Sequence, residues 1–125
     1  MPRLTRAAFH SLAEAALESL PDPVRALLHN LEIDTKAEPG REAGRWKGSD
    51  TLLGLYVGLS RDQMLSPHSG SHLPARILLY QRNLERGSRS REELEERIWT
   101  TLRHEVAHHF GITDEQLKER WPEGA

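Results

Sequence analysis

The chain has 125 residues, 37% of them hydrophobic, and its 17 basic and 19 acidic side chains leave a formal net charge of -2. That is the balance of one soluble globular domain over residues 1–125, and it leaves no length for a second catalytic core. It also argues against a nucleic-acid binder, because neutralising phosphates takes a basic face. There is no cysteine, so disulfides, thiolate catalysis and every cysteine-containing zinc site are excluded. A metal ion would have to be held by nitrogen and oxygen. The longest apolar run, Leu52 to Leu59, is far short of the about 20 residues needed to span a bilayer. Arg3 and Arg6 are followed by Ser11, Glu14 and Glu18, which reads as an amphipathic helix rather than a signal peptide. A cytoplasmic protein with no membrane partner is the expectation.

Thr5 is placed to cap a first helix, in which Phe9, Leu12, Ala13, Ala16, Leu17 and Leu20 recur on one face until Pro21 ends it. Asp22-Pro23 opens a short second helix carrying Val24, Leu27 and Leu28. Residues 31–35 (LEIDT) alternate as a strand, and 36–50 read as a glycine-rich, charged loop around Trp46. Residues 52–59 (LLGLYVGL) are the clearest strand. Leu53, Leu55, Val57 and Leu59 share one side and Gly54, Tyr56 and Gly58 the other, where something can approach the backbone closely. A long loop over 60–74 contains His68 and His72, and residues 75–82 (ARILLYQR) form a third strand. Ser90 and Glu93 then make a capping box for a long helix to Phe110, with Gly111 as its terminator. The charged run from Arg89 to Arg97 reads as its solvated face. Thr113 and Gln116 cap a last helix toward Trp121. Helices, then strands, then helices indicate an α+β fold.

His104-Glu105-Val106-Ala107-His108 matches H-E-x-x-H. On a helix, positions i and i+4 share a face, so both imidazoles can reach one ion. The glutamate between them can take a proton from a metal-bound water. At about 100° per residue, Leu94, Ile98, Leu102 and Val106 form the buried stripe. Glu105 falls beside that stripe, His104 and His108 on its flank, and His109 within it. His109 therefore reads as a core histidine or one that hydrogen-bonds behind the site.

Asp114, six residues after His108 and three after Gly111, is the candidate third ligand. The string H-E-x-x-H-x-x-G-x-x-D keeps the metzincin spacing with aspartate replacing the last histidine. Glutamates of the last helix (Glu115, Glu119 and Glu123) are the alternatives. Tyr56, His68, His72 and Tyr80 are candidates to hold a developing oxyanion.

The segment EVAHHFGITDEQL, with LLGLYVGL and LPARILLYQRNLE, resembles the small bacterial zincin-like metallopeptidases, or minimal zincins. The resemblance implies a compact α+β fold with a small mixed β-sheet packed on the active-site helix. It implies one Zn2+ per chain at His104, His108 and Asp114, with Glu105 as general base. The implied activity is hydrolysis of peptide or protein substrates. Full metzincins place a methionine turn downstream of the motif, whereas the only methionines here are Met1 and Met64. A non-catalytic, metal-stabilised peptide-binding module of the same shape is therefore the first alternative. A metal-dependent RNA-processing hydrolase is the second, and Glu105, Asp114 and the net charge count against it.

Overall fold

The computed structural model describes residues 2–20, 22–25, 28, 31–58, 75–111 and 115–116. The expected loop over 60–74, Asp114 and most of the last helix lie outside these residues. The first helix, α1 (Arg6–Glu18), starts where the sequence places it: Thr5 Oγ1 accepts from the Ala8 amide at 3.1 Å. This satisfies one of the donors a helix leaves unpaired at its start. A single turn, α2 (Asp22–Arg25), follows.

Among the described residues, three strands, β1 (Leu31–Lys36), β2 (Gly54–Val57) and β3 (Ala75–Tyr80), form one sheet in the order β1-β3-β2. β1 runs parallel to β3, with Ile33 opposite Ile77, and β2 runs antiparallel to it, with Tyr56 also opposite Ile77. The sheet is thus mixed, as the resemblance implies. β3 is its centre and the most buried strand, and among the described residues β2 is an edge.

Side chains of a strand alternate between faces. One face carries Leu31 and Ile33, Ile77 and Leu79, and Tyr56, and it packs on α1 and on α4 (Arg91–Phe110). From α4 this core receives Leu94, Ile98, Leu102 and Val106, and from α1 it receives Phe9 and Ala13. These are the apolar stripes expected from the sequence. Fully burying each such Leu or Ile contributes about 1.5–3 kcal/mol, so this layer fixes how α4 lies on the sheet.

Three segments differ from the sequence expectation, the first being the strand placed over 52–59, which among the described residues spans only Gly54–Val57. The third strand stops at Tyr80, and residues 81–82 instead open a short helix, α3 (Gln81–Arg86). Its buried polar side chains explain the change. Gln81 donates to the Leu4 carbonyl at 2.8 Å, and Glu85 accepts from the Leu4 amide at 2.8 Å. Asn83 donates to the carbonyls of Ser49 and Leu52 at 2.9 and 2.7 Å. α3 therefore ties the N-terminal segment and the approach to β2 onto the core.

The loop 36–50 contains a 3₁₀ segment, Arg41–Trp46. Glu42 accepts from Lys36 Nζ at 2.8 Å, from the Gly40 amide at 2.8 Å and from the Tyr80 hydroxyl at 2.9 Å. Trp46 is 45% exposed, with the Arg45 guanidinium 5.2 Å from its ring. Glu42 thus anchors the loop to β1 and β3.

Candidate metal centre

α4 carries the H-E-x-x-H string in its last two turns. Ser90 Oγ accepts from the Glu93 amide at 3.1 Å at the start of the helix. Gly111, at φ 71° and ψ 31°, ends it in the left-handed conformation that glycine adopts without a Cβ penalty. The apolar stripe sets the rotation of the helix, and rotation decides which residues face out. Glu105 is 5% exposed and His109 fully buried, while the His108 side chain is 50% exposed and His104 is also exposed.

The two flanking imidazoles sit one above the other, with ring centroids 4.7 Å apart. Nδ1 of His108 lies 3.1 Å from Oε1 of Glu105. Donor atoms of His104, Glu105 and His108 all fall within 4.8 Å of one another, close enough to hold one metal ion. Two imidazoles and a carboxylate suit a divalent metal, and the exposed rings leave it a path in from solvent. The C-terminal end of a helix carries partial negative charge, which favours a cation at this position.

Tyr56 of β2 stands against His108. Its hydroxyl and His109 Nδ1 are hydrogen-bonded at 2.9 Å, and its ring meets the His108 ring edge-on at 6.4 Å. Burial pushes the Tyr56 phenol up to about 12, so it stays neutral at physiological pH. His109 thus occupies the buried position expected of it, and Tyr56 is drawn toward it. The Tyr80 hydroxyl, another oxyanion candidate, is committed to Glu42. Burial and the neighbouring Glu42 carboxylate both push its phenol up. His68, His72, Asp114, Glu119 and Glu123 lie outside the described residues, and Glu115 is exposed.

A groove of about 320 Å³ opens beside the cluster, lined by Leu52, Leu53, Gly54, Thr100, Thr101, His104 and Glu105. A neighbouring hollow of about 250 Å³ shares Leu53, Thr100 and Thr101 and reaches Glu96 and Arg97. Together they follow the flank of α4 past the entry to edge strand β2. Motif reading passes over Thr100 and Thr101. The available signal is a pair of β-branched residues inside a helix, one turn ahead of His104, where propensity alone disfavours them.

A mixed sheet laid across a helix that carries H-E-x-x-H defines the zincin class. The sequence model of the zincin-like metallopeptidase family matches residues 28–122, and the chain belongs to that family. A solved structure, a conserved hypothetical protein from Thermus thermophilus, shares the fold at a TM-score of 0.56 and 24% identity. The alignment covers 93% of this chain and 99% of that one. No curated protein matches the chain. Among the described residues, no helix is long and apolar enough to cross a membrane.

Proposed function

We propose that this chain is a zinc-dependent peptidase, with His104, His108 and Asp114 as metal ligands and Glu105 as general base. The observation that carries the reading is the grouping of His104, Glu105 and His108 donor atoms within 4.8 Å at the mouth of a groove. A bound zinc ion would bring the pKa of a water to about 7 and polarise the scissile carbonyl.

The protein's own groups do the rest. Glu105, held on the inner side of the imidazole pair, accepts the proton of the attacking water and passes it to the leaving amine. The peptide lies extended in the groove, its backbone pairing with β2 as an added strand. Leu52 and Leu53 line the groove beside Glu105, so an apolar substrate side chain fits there.

The test is hydrolysis of a fluorescently labelled unfolded protein by zinc-loaded wild type and by Glu105→Gln. Glu105→Gln is expected to keep its zinc and lose about 10²–10⁴-fold in rate. A variant as fast as wild type would overturn the role given to Glu105. Zinc held by a wild type that cleaves nothing would leave the peptide-binding module as the function.

A further inference from the structure

We infer that Tyr56 and His109 form a buried brace that sets the ring of His108 for metal binding, making Tyr56 a positioning residue of the centre. The inference rests on the reading of His104 and His108 as ligands, but its observations are separate. His108 lies in the last turn of α4, and its side chain is 50% exposed. A half-exposed histidine ordinarily samples several rotamers, and each one lost on binding an ion weakens affinity.

Here the ring is flanked. The His104 ring lies 4.7 Å away at 61°, and the Tyr56 ring meets it at 6.4 Å and 88°, an edge-to-face contact. Tyr56 would brace nothing if it moved freely itself. It is fixed on a sheet strand in register with Ile77, and at its tip by the 2.9 Å bond to His109 Nδ1. His109 is fully buried, so the far end of that bond belongs to the core. Its ring also lies 5.9 Å from that of Tyr56 and 5.7 Å from that of Phe110. Rigidity thus passes from the β3–β2 ladder through Tyr56 to His108.

Tyr56→Phe removes the hydroxyl and keeps the ring. His109→Asn keeps a polar atom near the position of Nδ1, and His109→Leu removes it. Zinc affinity of each purified protein is measured by competition with a chromophoric chelator, and thermal unfolding is followed without metal. Tyr56→Phe is expected to weaken zinc binding about 10-fold with little change in the metal-free melting temperature, and His109→Asn to bind more tightly than His109→Leu. Zinc affinity within twofold of wild type in Tyr56→Phe would overturn the brace. So would a lowered melting temperature with unchanged affinity, because that pattern marks a purely structural bond.

A second readout needs no metal: the imidazole order of His108 by NMR in metal-free protein. Averaged couplings for His108 in Tyr56→Phe, against one rotamer in wild type, support the brace, and identical averaging in both contradicts it. Wild type that binds no zinc would refute the ligand reading, while the NMR comparison would still decide the brace.

Discussion

Gly54 of β2 lies against Thr101 of α4 so closely that a Cβ at Gly54 would sit 2.8 Å from Thr101 Cγ2 and 3.1 Å from the Leu78 carbonyl oxygen. Real Cβ atoms do not approach carbon at 2.8 Å, so the edge strand and the helix meet through the absence of a side chain. This approach brings the entry of β2 beside His104 and Glu105 and forms one wall of the groove.

Gly54→Ala is therefore expected to destabilise the protein by about 1–3 kcal/mol, the usual cost of overpacking. Thr101→Ser in the same chain removes the nearer clash and restores part of the loss, leaving the Leu78 contact. Urea unfolding of the two single variants and the double variant measures this. Gly54→Ala with wild-type stability would show that the strand can move off the helix at little cost.

A second prediction concerns acid. Glu42 is held well below the ordinary carboxylate value, at about 2, chiefly by its bond from Lys36, with the Gly40 amide and Tyr80 hydroxyl adding to it. A carboxylate whose pKa is lower folded than unfolded stabilises the fold above its unfolded value. That contribution is lost as pH falls toward the folded one. Stability should drop between about pH 4.5 and pH 2, and the drop should be smaller in Glu42→Gln. At neutral pH the same variant should lose about 2 kcal/mol, the range for hydrogen bonds to a charged group. Equal acid sensitivity in variant and wild type would place the acid-labile group elsewhere.

α4 was legible in the sequence because its signals are local: the Ser90 cap, four-residue apolar spacing and the Gly111 stop. The same periodicity placed Glu105 beside the buried stripe, His109 within it, and His104 and His108 on its flank; that both flanking rings are exposed is seen only in the structure. The glycine-bearing side of β2 was legible as a place of close approach, though not that Thr101 would fill it. α3 was not legible, since the reasons for it are the bonds of Gln81 and Glu85 to Leu4 and of Asn83 to Ser49 and Leu52, all made across more than 30 residues of sequence. The Tyr56–His109 bond spans 53 positions and was hidden for the same reason. The pattern names both residues but cannot pair them.

The turn after α4 gives a third prediction. Gly111 has φ 71°, where a β-branched side chain is strained. Gly111→Val should cost about 1–2 kcal/mol and Gly111→Asn less, because asparagine tolerates the left-handed region. If Asp114 is the third ligand, Asp114→Ala should weaken zinc binding strongly, and Gly111→Val should weaken it too by redirecting the chain that leads there. Chelator competition on both variants reads this. Full affinity in Asp114→Ala would move the third ligand to another carboxylate, with Glu115 the first to substitute.

The central claim is that α4 builds a metal centre from His104 and His108. It is tested most directly by elemental mass spectrometry of protein purified without a chelator or a metal-binding tag and then supplied with zinc. Wild type should carry about one zinc per chain, and the double variant His104→Ala, His108→Ala none while remaining folded by circular dichroism. Zinc absent from wild type, or undiminished in the double variant, would contradict the account.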